Sequence, residues 1–307
     1  MMWIILISVA IIAIPLTVEY NRSPMDDARR GSAPGLFAEL SQGVTHYEWL
    51  GPPRGPVAVC IHGLTTPSFV FRSLVRGLAL MGFRVLVYDL YGRGFSDRPR
   101  GEQDRRFFLR QLGELLEREQ VGGDLTVIGY SMGGAIATCF AADNPGRVRQ
   151  LVLLAPAGMG MRLGKLARFI VDVPILGDWV MLAVYAHQQR KALRAEAGVP
   201  SSIPNITELQ EAELDYKGYV PSVLASLRGI LSEKLESEHA TLQRHHIPVL
   251  AIWGGEDTVI PPGAMGRMAE WHRDAKHEVI EEAGHGLPYT HTEAVLAAMQ
   301  RFLRTGH

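Results

Sequence analysis

Gly129-Tyr130-Ser131-Met132-Gly133-Gly134 sets one serine among three glycines, between an apolar run and a helix-like run. A serine hydroxyl attacks a carbonyl when three other groups attend it. A base takes its proton, an acid holds the base in the right tautomer, and donors receive the oxyanion. The chain offers a match for each. Asp257 follows Gly254-Gly255-Glu256, and His285 stands between Gly284 and Gly286. The order Ser131, Asp257, His285 is the order that goes with a G-x-S-x-G elbow. Glu256 ranks second as the acid and His291 second as the base. Asp257 also has a plainer reading, as a capping residue ahead of the helix near Pro261-Pro262. Of the 11 histidines, His285 is set apart by its place after a terminal strand and between glycines. Leu64, after His62-Gly63, and Met132, after Ser131, supply the expected oxyanion donors through their backbone N–H groups. Removing one such donor typically costs about 10²–10³ in rate.

These residues need elements to carry them. Residues 124–128 are short, β-branched and apolar, which predicts a buried strand. Residues 135–144 predict a buried helix, stopped by Pro145-Gly146. Ser131 therefore lies on a strand-to-helix turn with almost no loop. A Cβ at position 129 or 133 would collide there with the adjacent strand or helix. Further strands are predicted over 36–41, 44–50, 56–61, 83–88, 148–154, 247–253 and 277–280. Helices are predicted over 71–81, 102–119, 262–272 and 292–303. This alternation predicts a mostly parallel sheet covered on both faces. Ligands of such sheets sit at the carboxyl ends of the strands, where His62, Asp89, Ser131, Asp257 and His285 all fall. Between 157 and 246 the alternation stops and only helical patterns appear, over 163–171, 179–194, 207–215 and 220–235. That stretch predicts a helical cap over the sheet.

Composition excludes several classes. The chain has 307 residues, 47% hydrophobic and 21% charged, which suits one large α/β domain with an insertion. A net charge of -1 with no Lys/Arg-rich cluster argues against nucleic acid. No HExxH, CxxC or P-loop pattern occurs, so no metal and no cofactor is expected. Cys60 and Cys139 lie in apolar runs and read as buried thiols. Residues 3–18 are apolar apart from Ser8 and Thr17. This stretch predicts an uncleaved N-terminal membrane anchor, with Arg22, Arg29 and Arg30 behind it favouring a cytoplasmic catalytic domain. The expected organisation is an anchor over 1–20, a linker over 21–35, a core over 36–157, a cap over 158–246 and the rest of the core over 247–307. Few core contacts are expected before Leu36.

The motifs together resemble a serine α/β-hydrolase of the lipase/esterase branch. The resemblance rests on His62-Gly63, Asp89-Leu90-Tyr91-Gly92-Arg93-Gly94-Phe95-Ser96-Asp97, Gly129 to Gly134, Gly255-Glu256-Asp257 and Gly284-His285. It covers about residues 40–304 and implies an α/β-hydrolase fold. It also implies Ser131 as nucleophile, His285 as base, Asp257 as acid, and Leu64 and Met132 as the oxyanion hole. Asp89 is structural in this reading. The apolar N-terminus and Leu154-Ala155-Pro156-Ala157-Gly158 further resemble membrane-anchored monoacylglycerol lipases. The implied activity is hydrolysis of carboxylic esters with apolar acyl groups, small-molecule or lipid. A triad of this kind also serves amidases, carbon–carbon hydrolases and perhydrolases, and some members of the fold only bind ligands. One departure from the pattern is Tyr289-Thr290-His291, which stands where family members often have Glu-x-Pro.

Overall fold

The computed structural model describes the backbone of residues 2–261 and 263–305, and the side chains of these except 4–10 and 305. Among the described residues, eight strands form one sheet: β1 (Leu36–Leu40), β2 (Gly43–Leu50), β3 (Val57–Ile61), β4 (Arg84–Tyr88), β5 (Leu125–Tyr130), β6 (Val148–Leu154), β7 (Val249–Gly254) and β8 (Lys276–Ile280). Their order is β1-β2-β4-β3-β5-β6-β7-β8. Pairing is antiparallel through β1, β2 and β4, and parallel from β4 to β8.

Two helices precede the sheet, α1 (Met2–Tyr20) and α2 (Asp27–Arg30). Then come α3 (Arg72–Leu80), α4 (Arg105–Arg118) and α5 (Met132–Asp143). Between β6 and β7 the chain is helical, with α6 (Lys165–Asp172), α7 (Leu176–Glu196), α8 (Ile206–Ala212), α9 (Tyr219–Arg228) and α10 (Glu236–Arg244). The remaining helices are α11 (Gly263–Trp271), α12 (Leu287–Thr290) and α13 (Thr292–Thr305).

Side chains alternate along the central strands, as the period of a strand requires. Val59, Ile61, Val127, Leu151 and Leu153 face α4, α5 and α11. Ala58, Cys60, Ile128, Val152 and Leu154 face α3 and α13. Both sheet faces are thereby covered, and both cysteines are free, buried thiols.

The expected membrane anchor is overturned. Among the described residues no helix is long and apolar enough to cross a membrane. At 1.5 Å per residue, the 19 residues of α1 reach about 28 Å, short of a hydrocarbon core of ~30 Å. Pro15 lies inside the helix, whose second half is engaged with protein. The Trp179 indole N–H donates to the Ile12 carbonyl at 3.0 Å. The Gly218 N–H donates to Glu19 at 2.6 Å, and Lys217 Nζ lies 4.0 Å from the Tyr20 ring centroid. The anchor, the membrane as partner and the membrane-bound location inferred from it all fall with this correction.

The stretch before Leu36 also makes more contacts than expected. Ser23 bridges to Tyr216, its N–H donating to the Asp215 carbonyl at 3.1 Å and its carbonyl accepting from Lys217 at 2.9 Å. The Arg30 guanidinium donates to the Phe95 carbonyl and pairs with Asp97. Each protein hydrogen bond contributes about 1 kcal/mol net. Deleting residues 1–24 is therefore expected to lower the melting temperature and reduce turnover together. Calorimetry and rate measurements on the truncated protein test this, and unchanged values for both would refute it.

Candidate active site

Ser131 occupies the turn between β5 and α5 with φ 53° and ψ −117°. A non-glycine residue in such a conformation costs about 1–3 kcal/mol, so its surroundings must impose it. The Ser131 N–H donates to the Leu154 carbonyl at 2.9 Å, and its carbonyl accepts from Gly134 and Ala157 at 2.9 and 3.0 Å. The glycines answer to space. A Cβ on Gly129 would lie 2.4 Å from the Gly133 carbonyl oxygen, and one on Gly133 would lie 2.0 Å from that of Ile61. The first turn of α5 thus presses directly on the end of β3.

The sequence-predicted side chains converge here. His285 Nε2 lies 3.0 Å from Ser131 Oγ, and His285 Nδ1 lies 2.8 Å from Asp257 Oδ2. The Asp257 side chain is buried, while that of His285 stays 21% exposed. Asp257 also anchors its own turn, ahead of α11 rather than on it. Its Oδ1 accepts from the N–H groups of Val259 and Ile260, each at 2.8 Å, leaving Oδ2 for the histidine. These bonds fix the carboxylate and, through it, a tautomer with the proton on Nδ1 and a free lone pair on Nε2. The rivals lie elsewhere. Glu256 is exposed, and His291 Nδ1 pairs with the adjacent Thr290 hydroxyl at 2.9 Å. The Tyr130 ring packs 5.4 Å from the His285 ring, and its hydroxyl donates to the His285 carbonyl.

Two residues quoted above only as motif letters set the turn that carries Leu64. His62 Nε2 accepts the Leu90 N–H at 2.8 Å, so its proton sits on Nδ1, which donates to the Gly63 carbonyl at 2.8 Å. Burial pushes the His62 imidazole down to about 4, which keeps this pattern neutral. In a trans peptide C=O and N–H point in opposite directions. Tying down the Gly63 carbonyl therefore aims the Leu64 N–H the other way. A Cβ on Gly63 would lie 3.3 Å from Ser131 Cβ, so this turn runs beside the serine. Met132, the second expected donor, is the first residue of α5, where N–H groups lack partners within the helix.

Arg93 is fully buried and uses every donor of its guanidinium. It donates to the carbonyls of Leu64, Tyr91 and Ser222 and to the side chains of Gln103 and Ser226. Leu64 is thus tied to the turn after β4 and to α9 by one side chain. Arginine in a Gly-rich turn was the available signal, but its partners are distant in sequence. Asp89 is structural, as expected, accepting from Ser68, Phe95 and His46. Burial alone would raise its carboxyl, yet the bond and charge of His46 hold it well below the usual carboxylate range.

The helices between β6 and β7 lie against these turns. Leu64 packs on a cluster of Ile170, Met181, Leu214, Tyr219, Val220 and Val223. Glu213 accepts the Gly94 N–H at 2.9 Å. Behind β7 and β8 three histidines gather. The rings of His239 and His272 lie 6.1 Å apart, and the Trp253 indole donates to His277 at 3.0 Å. Burial holds all three below the ordinary histidine value, His239 at about 3. Among the described residues no group of three or more His, Cys, Asp or Glu side chains has metal-ligating geometry.

The comparisons agree with this architecture. Residues 56–292 match the family described as alpha/beta hydrolase fold. Lipase 1 of Psychrobacter immobilis is 26% identical over 250 residues, covering 76% of this chain and 73% of that protein. The 2-hydroxymuconate semialdehyde hydrolase of Pseudomonas putida is 25% identical over 232 residues, covering 72% of this chain and 76% of its own. The solved structure of a hydrolase from Pseudomonas aeruginosa PA01 gives a TM-score of 0.74 at 21% identity, over 89% of this chain and 99% of that one. At that identity the likeness is one of fold. A family match across so much of the sequence decides the affiliation: the chain belongs to the alpha/beta hydrolase fold family, among hydrolases of the lipase and esterase kind.

Proposed function

We propose that the protein hydrolyses carboxylic esters with apolar acyl groups through an acyl-enzyme on Ser131. His285 Nε2 takes the Ser131 proton as Oγ attacks the ester carbonyl. Asp257 holds the imidazole in place and stabilises its charged form. The N–H groups of Leu64 and Met132 receive the oxyanion. The tetrahedral intermediate collapses, the alcohol leaves with the proton from His285, and water repeats the sequence to release the acid. The observation that supports the reading is the relay itself, 3.0 Å from Ser131 Oγ to His285 Nε2 and 2.8 Å from His285 Nδ1 to Asp257.

The preference for an apolar acyl group draws on the cluster against which Leu64 packs, with Met181 buried inside it. Trp179, a natural companion for that role by its place in the sequence, turns instead to α1. A substrate chain held by these side chains gains up to ~0.8 kcal/mol per buried methylene. The helices from α6 to α10 act as a cap in this reading.

The test is a series of p-nitrophenyl esters from acetate upward, run beside fluorophosphonate labelling. The expected result is labelling at Ser131, many turnovers per enzyme, and a rate that rises from acetate to medium chains. A flat profile removes the apolar preference, and labelling without turnover makes the protein a receptor. A second reading, carbon–carbon bond hydrolysis, is favoured by the similarity to the Pseudomonas putida protein. Turnover of a vinylogous diketone without ester turnover would select it.

A further inference from the structure

The turn that carries Leu64 is held from above by one side chain. Gln210, on α8, is 5% exposed. Its amide N–H donates to the Thr66 hydroxyl at 2.8 Å. Thr66 is itself buried and lies two residues beyond Leu64. Nearby, the Tyr219 hydroxyl on α9 reaches the Thr65 carbonyl at 3.4 Å.

The amide is a poor choice for packing alone. Gln210 Oε1 has no hydrogen-bond partner among the described residues and no contact with solvent. A buried polar atom without a partner is destabilising. Methionine would fill nearly the same space without that cost. What glutamine adds is direction, because its N–H group fixes where Thr66 stands, and with it the turn that carries Leu64.

We propose that Gln210 is a positioning residue that fixes the turn of Leu64 through Thr66. The inference rests on the role proposed above for Leu64. Its consequence is that α8 acts on turnover as well as on access. The oxyanion donors and the base must sit at fixed distances from one reacting carbon. A misplacement of about 1 Å can cost on the order of 10²-fold in rate. Gln210 touches no reacting atom, so substrate affinity should hardly change.

The experiment compares Gln210→Met, Thr66→Val, Thr66→Ser and the double variant Gln210→Met/Thr66→Val. Readouts are kcat and KM on p-nitrophenyl butyrate, the rate of fluorophosphonate labelling, and melting temperature. Gln210→Met is expected to melt no lower than the parent, while kcat and labelling both fall about 10–100-fold and KM stays within about twofold. Thr66→Val should match it, Thr66→Ser should restore the rate, and the double variant should be no worse than either single one. Should Gln210→Met not fold, the Thr66 pair carries the same test. Full kcat in a folded Gln210→Met or Thr66→Val overturns the proposal, as does an additive double variant. A raised KM with unchanged kcat also overturns it, making Gln210 a substrate contact. A Ser131→Ala control keeps the two questions apart. Ester turnover surviving in that control sinks the proposed function, whereas an inactive control beside a fully active Gln210→Met sinks only this inference.

Discussion

Ser131→Ala is expected to lower ester turnover by about 10⁶-fold while the protein stays folded. The size follows from the turn it occupies. Among the described residues, only the Ser131 hydroxyl bonds His285 Nε2, and no neighbouring serine or threonine stands on the elbow to replace it. Folding should survive because the Oγ contributes one half-exposed hydrogen bond. The backbone conformation is imposed by Leu154, Gly134 and Ala157, none of which needs the hydroxyl. Turnover of p-nitrophenyl butyrate and a far-ultraviolet circular dichroism melt, taken on the same preparation, read the two halves. Retention of more than about a hundredth of the parental rate would mean that another group attacks the ester.

His285→Ala should be as damaging as the serine change, because base and nucleophile act as a unit and their losses do not add. His291→Ala should stay within a few-fold of the parent, since that ring pairs with its neighbour Thr290. The acid offers the same contrast. Asp257→Asn is expected to cost on the order of 10⁴-fold, through the wrong imidazole tautomer. Glu256→Gln should cost little, because that side chain is exposed. Should His291→Ala or Glu256→Gln prove the more harmful member of its pair, the relay has been assigned to the wrong residues.

Much of this site could be read from the sequence, because its signals are local and steric. Three glycines around a serine report a turn with no room for Cβ atoms. Glycines flanking His285 report a sharp exit from a last strand. Near-continuous apolar runs placed the central strands, since a strand buried on both faces leaves few polar positions. Other features depend on contacts between residues far apart. The helix predicted over 220–235 breaks at Gly229, because Gly229 is pressed onto Gln103, where a Cβ would lie 2.2 Å from the carbonyl oxygen. The chain then restarts as α10 at Glu236. Nothing near Gly229 in the sequence announces Gln103. The same holds for α1, whose apolar run reads as a membrane segment until Trp179 and Gly218 are found against it. Arg93 and Gln210 each join elements separated by more than a hundred residues, and a lone arginine or glutamine carries no sign of that.

The histidines packed away from water decide how this protein withstands acid. His62, His239, His272 and His277 all bind a proton less readily when folded than when free, His62 at about 4 and His239 at about 3. The unfolded chain takes up protons as the pH drops below about 6.5, and the folded chain refuses them. Stability with respect to these groups is level above that point and declines as the pH falls from there toward about 3. His46 works in the opposite sense. Its burial disfavours the proton, but the bond to Asp89 outweighs that and raises its value. The decline is concentrated where His277 lies on β8 and His239 and His272 back it, beside the strands that lead to Asp257 and His285. Activity lost in acid through these buried histidines returns only as fast as that edge of the sheet is rebuilt.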